Sequence, residues 1–249
     1  MTALSENIAN YAPDFTKLGK SEWLKLFATR PWGLLLALAL AALPIAGRSQ
    51  TAAAQPGAAL ARAGVDTILV VGDSLSAEYG LKRGSGWVAL LQQRLAAEKR
   101  QAKVVNASIS GDTTSGGRSR LGALLLQHKP NVVVIELGGN DALRGLPLDM
   151  TEKNLTSMVQ ASQKAGAKVL LLGMQVPPNY GGAYGSSFAG LFVKVAKATQ
   201  VALVPFFLKG VADVADAPRL FQNDRIHPNE AAHPTMLANV WPELRKLLR

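Results

Sequence analysis

Three short blocks of this chain carry the residue types that acyl transfer requires. Gly72-Asp73-Ser74-Leu75-Ser76 offers a hydroxyl, Gly138-Gly139-Asn140-Asp141 a side-chain amide, and Asp224-Arg225-Ile226-His227-Pro228 an imidazole with a carboxylate three residues before it. A serine attacks a carbonyl only when a base removes its proton, a third group orients the base, and fixed donors stabilise the developing oxyanion. Ser74 fits the first role. His227 fits the second, because imidazole takes up and returns a proton near neutral pH. Asp224 lies close enough on the same loop to hold the other ring nitrogen. The backbone N–H groups of Ser74 and Gly111 and the amide of Asn140 are the candidate oxyanion donors, and a glycine at 111 lets a substrate approach the backbone closely.

These blocks need a scaffold that delivers them to one place, and the hydrophobic pattern supplies it. Short apolar, β-branched runs are expected as strands at Thr67 to Val71, Val104 to Ile109, Val132 to Leu137, Val169 to Met174 and Val201 to Pro205. Helical patterns separate them at Trp87 to Lys99, Ser119 to Gln127, Thr151 to Ala165 and Phe188 to Thr199. The last one, Glu230 to Leu248, contains Pro234 and Pro242 and should start late or bend. Alternating strands and helices predict an α/β fold, a five-stranded parallel sheet covered on both faces. Ligands of such sheets bind beyond the carboxyl ends of the strands. The first strand runs into Asp73 and Ser74, the second into Ser110 and Gly111, and the third into Gly138 to Asp141.

Each of these residues also has an ordinary structural use. Ser74 alone reads equally well as a cap after a strand, and Asp73 as the support of its turn. Thr113-Thr114-Ser115-Gly116-Gly117 fits helix capping better than a phosphate cradle, because it lacks the lysine of a nucleotide loop. Of the three histidines, His128 suits a helix C-terminus. His233 suits packing or capping, and only His227 has an aspartate three residues upstream. There is no His-x-x-x-His pair, so no metal and no cofactor is expected.

Composition narrows the class. A chain of 249 residues with 48% hydrophobic content can bury a full core. The net charge of +10 is spread along the chain without a basic tract interleaved with aromatics, which argues against nucleic acid as a partner. A basic surface also suits contact with an anionic membrane. The absence of cysteine excludes disulfides and thiol chemistry. Residues 1–54 read as a separate N-terminal region. Lys25 and Arg30 precede the apolar run Leu34 to Ile45, and Ala52-Ala53-Ala54 supplies an A-x-A site, the order of a secretory signal peptide. The alternative is an uncleaved anchor or a start assigned too far upstream. Residues 55–249 then form one catalytic domain, periplasmic or secreted and acting as a monomer.

Taken together, Gly72 to Ser76, Gly111, Gly138 to Asp141 and Asp224 to Pro228 resemble, in order, the sequence blocks of the SGNH (GDSL) hydrolases. Within that family, Asn140 to Pro147, Thr151 to Leu155 and Gly173 to Gly181 resemble the bacterial acyl-thioesterase and lysophospholipase branch. The resemblance implies a flavodoxin-like three-layer α/β/α sandwich and hydrolysis of acyl esters and thioesters. It implies the triad Ser74, Asp224 and His227, with oxyanion donors at Ser74, Gly111 and Asn140. It also implies a substrate loop of Ala142, Leu143, Arg144, Gly145, Leu146 and Pro147 lining an acyl groove. Arg225 departs from the small residue expected inside Asp-x-x-His. Two alternatives remain open on the same architecture: a carbohydrate O-deacetylase, and a non-catalytic flavodoxin-like module binding a nucleotide or flavin.

Overall fold

The computed structural model describes residues 65–249. The N-terminal region, with its apolar run and Ala52 to Ala54, lies outside the described residues.

Five parallel strands form one sheet: β1 (Asp66–Gly72), β2 (Ala102–Asn106), β3 (Val132–Glu136), β4 (Lys168–Leu172) and β5 (Ala202–Val204). Their spatial order is β2-β1-β3-β4-β5, the flavodoxin-like winding whose switch point lies between β1 and β3. Register aligns Ile68 with Val132 and Gly72 with Glu136, so the first and third strands end at the same level. Ile68 to Val71 and Val132 to Ile135 are fully buried, which explains why these runs are apolar throughout rather than alternating.

Helices α1 (Trp87–Ala97), α2 (Thr114–His128), α3 (Gly139–Leu143), α4 (Leu148–Lys164), α5 (Gly182–Thr199) and α6 (His233–Leu247) complete the described helices. On one face α1 packs on α6; on the other α4 packs between α2 and α5. The sheet between them makes the expected three layers. As anticipated, α6 starts late: a 3-10 turn at Glu230–Ala232 precedes it, Pro234 sits in its first turn, and Pro242 lies inside it. Among the described residues no helix is long and apolar enough to cross a membrane.

Several element boundaries differ from the sequence expectation, among them α5, which begins at Gly182 rather than Phe188, and α4, which begins at Leu148 rather than Thr151; two others have tertiary reasons. Strand β2 is displaced towards Ala102, but the ladder continues beyond it, with Ala107 N–H donating to Val70 O and Ile109 N–H to Gly72 O. Helix α2 begins at Thr114 rather than Ser119. The Thr113 hydroxyl caps it by accepting from Gly116 N–H, and Thr114 N–H donates to Asp141 at 2.8 Å. Gly117 is required there, since a Cβ would lie 2.3 Å from the Leu137 side chain.

Candidate active site

The nucleophile turn follows from close packing at the end of β1. Gly72 is forced, because a Cβ there would meet Glu136 and Ser76 at 2.8 Å. Asp73 then folds over its own turn, its Oδ1 accepting Leu75 N–H at 3.0 Å. This holds the half-buried Ser74 at the carboxyl edge of the sheet. Asp73 thus has the turn-supporting role anticipated for it.

The histidine arrives from the other end of the chain on a turn built by Asp224. Its Oδ1 accepts the N–H groups of Ile226 and His227 at 2.9 and 3.0 Å, and its Oδ2 meets His227 Nδ1 at 2.7 Å. These bonds, the backbone N–H groups of His227 and Ile226 first, hold the Asp224 carboxyl down at about 2, so it is ionised beside the imidazole. His227 Nε2 lies 2.9 Å from Ser74 Oγ. Hydroxyl, imidazole and carboxylate therefore stand in line across 153 residues of sequence.

Gln222 clasps the two turns together. Its Nε2 donates to the carbonyls of Tyr79 and Pro228, and its backbone N–H donates to His227 O. The Tyr79 ring lies 4.3 Å from that of His227, tilted by 38°. Sequence reasoning passed over both residues, since nothing local marks them.

The proposed oxyanion donors come from three separate strand ends. The backbone N–H groups of Ser74 and Gly111 donate to nothing among the described residues. Gly111 adopts φ +77, the left-handed region that suits glycine, and its carbonyl accepts from Arg144 at 2.8 Å. Asn140 spends one amide hydrogen on Asp73 Oδ2 at 3.0 Å. The other is left for a ligand.

A second carboxyl stands beneath this arrangement. Glu136, fully buried at the end of β3, accepts from Ser76 Oγ at 2.7 Å and from Asp73 N–H at 3.3 Å. Burial, then the charge of Asp73, pushes Glu136 well above the usual carboxylate range. Burial likewise raises Asp73 to about 6, against the pull of its bonds from Leu75 and Asn140. The charged residue closing an otherwise apolar strand was the available signal for Glu136.

His233 is excluded from the chemistry. It is buried, and its Nδ1 accepts the N–H of Trp87 at 3.0 Å, capping α1. Burial lowers its pKa, which keeps it in the neutral form this bond needs.

A groove of about 660 Å³ opens beside Ser74 and His227. Of Ala142, Leu143, Arg144, Gly145, Leu146 and Pro147, only Leu143 lines it. Ala142 is 1% exposed and packs into the core, and Arg144 turns to Gly111 O. The reason is that Ala142 and Leu143 belong to α3, whose short turn buries one residue and presents the next. Part of the remaining wall comes directly after β4 and β5, from Met174 to Pro178 and from Phe206 and Leu208, and part from the segment between Ala212 and Ile226. The ends of β4 and β5 are the local signal for the first of these parts.

A doubly wound sheet that brings a hydroxyl, an imidazole and a carboxylate into line at its switch point, above an apolar groove, has the equipment of an ester hydrolase. The chain belongs to the GDSL-like lipase/acylhydrolase family of ester-bond hydrolases, whose profile matches residues 70–234. It is similar to esterase TesA of Pseudomonas aeruginosa, 55% identical over 187 residues that span 75% of this chain and 92% of the relative. Thioesterase 1/protease 1/lysophospholipase L1 of Escherichia coli is 44% identical over 186 residues, 75% of this chain and 86% of the relative. The crystal structure of TesA matches with a TM-score of 0.71 at 56% identity, covering 74% of this chain and all of that one.

Proposed function

We propose that the protein cleaves acyl esters and thioesters through an acyl-serine intermediate. The observation that carries this reading is the unbroken line from Ser74 Oγ to His227 Nε2 at 2.9 Å and from His227 Nδ1 to Asp224 at 2.7 Å. In acylation His227 takes the Ser74 proton as Oγ bonds to the substrate carbonyl carbon. The carbonyl oxygen becomes an oxyanion facing the N–H groups of Ser74 and Gly111 and the free amide hydrogen of Asn140. The bond to the leaving atom then breaks, and His227 returns the proton to that atom. Water repeats the sequence on the acyl-serine and releases the acid. The apolar wall of Leu143, Met174, Val176, Phe206 and Leu208 suits an acyl chain better than a sugar. One chain supplies every group used, so a monomer suffices.

Ser74→Ala and His227→Ala should each reduce turnover of an acyl thioester by several orders of magnitude with unchanged melting temperature. The double variant should lose little more than the worse single one, because the residues act as a unit. A fluorophosphonate should label the parent at Ser74 and leave Ser74→Ala unlabelled. Multiplying losses, or labelling elsewhere, would overturn the mechanism.

We also propose that the protein is exported, on the strength of the apolar run Leu34 to Ile45 followed by Ala52 to Ala54. Mass spectrometry of the protein from its native host should find a chain beginning at Gln55. A product retaining residues 1–54 would contradict export with cleavage.

A further inference from the structure

Arg225 holds a backbone conformation that its side chain disfavours. Its φ is +57, in the left-handed region where a Cβ crowds the backbone and glycine is the usual occupant. The turn demands this conformation, because the N–H groups of Ile226 and His227 must both point back at Asp224 Oδ1. Glycine would satisfy the turn at lower cost. A strained residue beside reacting groups calls for a reason in what its side chain does.

The side chain does nothing for the fold. It is exposed, and it makes no hydrogen bond or ion pair among the described residues. It lines the groove that holds Ser74 and His227, the one lysine or arginine in that lining. The neighbouring acids are engaged elsewhere. Asp224 is occupied by His227 and Ile226, and Asp213, also on the groove, accepts from Gly210 N–H. Arg225 therefore presents a guanidinium with no acid in contact to whatever occupies this end of the groove, although Asp73 and Asp213 also line it.

The reaction says what that is. His227 Nε2 must pass its proton to the leaving atom, so the leaving group comes within reach of the turn that carries His227, whose Arg225 and Ile226 share the groove lining. Arg225 is two residues earlier on the same turn. A guanidinium suits phosphate, which it can bind through two parallel N–H···O bonds. We propose that Arg225 is a specificity residue that binds a phosphate carried by the leaving group, a subsite that rests on the serine-hydrolase reading above. The same chemistry is found in the phosphorylated thiol of an acyl-coenzyme A and in the headgroup of a lysophospholipid.

The test compares, in the full chain, two substrate pairs that differ in phosphate and share an acyl chain: acyl-coenzyme A against acyl-pantetheine, and a lysophospholipid against the corresponding monoacylglycerol. The readout is the ratio of kcat/KM within each pair. Arg225→Gln should lower the ratio about tenfold, the size of one charge-assisted contact, in whichever pair carries the recognised phosphate. Arg225→Lys should retain part of the preference, and 0.5 M salt should shrink it in the parent. Arg225→Gly removes the charge and relieves the backbone, so it should lower the ratio while raising the melting temperature. Ratios equal to the parent's in both pairs for Arg225→Gln, with hydrolysis still abolished by Ser74→Ala, would overturn the subsite alone. Hydrolysis that survives Ser74→Ala would overturn the underlying reading instead.

Discussion

Two His-Pro dipeptides in one short stretch, His227-Pro228 and His233-Pro234, serve opposite ends. His227 meets Ser74 and Asp224, whereas His233 caps α1. The difference lies in the partner each ring nitrogen finds. Asn140 shows the same dependence on a partner, because its amide is useful to an oxyanion only if something fixes its plane. Asp73 does this by taking one hydrogen at 3.0 Å. A bond that strengthens as negative charge develops acts on the transition state, so Asn140→Ala should lower kcat by about 10²- to 10³-fold, roughly 2.7 to 4 kcal/mol. KM should change far less. Steady-state kinetics and a melting curve on one preparation check this. A lowered melting temperature with kcat within a few-fold of the parent would reduce Asn140 to a turn residue.

At the level of elements, the site is a set of strand ends brought level by register. β1 supplies Ser74, the bonded extension of β2 leads to Gly111, and β3 supplies Glu136 and then Asn140 on α3. β4 and β5 end in the groove wall, and there the chains come into contact at Gly173. A Cβ at Gly173 would lie 2.3 Å from the backbone carbonyl of Pro205, an atom that cannot swing aside. Gly173 N–H also donates to Val204 O, and Phe207 N–H to Gly173 O. Gly173→Ala should therefore cost about 1 to 3 kcal/mol by overpacking, read as a lower urea midpoint. It should also raise KM for long acyl chains more than for short ones, because Met174 to Pro178 and Phe206 move with it. Unchanged stability would mean that the two loops part without cost.

For the whole molecule, the buried carboxyls set how stability depends on pH. Asp73 is raised from 3.8 to about 6 in the folded protein, and Glu136 is likewise raised well above its ordinary range. Between about pH 4 and 6 the native state then holds more protons than the unfolded chain, so these groups lower stability as pH rises through that window. Asp224 acts in the opposite sense. Its pKa falls from 3.8 to about 2, so its contribution is present above 3.8 and is lost as pH falls towards 2. Urea unfolding between pH 2 and 7 should show both flanks. Asp73→Asn should flatten the decline between pH 4 and 6 and leave the acid flank in place, and an unchanged decline would assign it to other groups.

Much of this protein was legible before any contact was known. Apolar β-branched runs and their spacing identify the strands and the parallel sheet, because burial on both faces leaves a mark in consecutive residues. The pairing of Asp224 with His227 is equally local, a single turn closed by its own side chain. Other features exist only in three dimensions. The early start of α2 depends on Asp141 and Leu137 meeting a glycine-rich turn whose own propensity argues against a helix. The Asp73–Glu136 pair, the Gln222 clasp and the groove wall join residues far apart in the chain. No local pattern records which of them will be neighbours. The strain at Arg225 is likewise a property of the folded turn: the sequence shows an arginine between Asp224 and His227, and only the backbone reveals that it is held where glycine would be at ease.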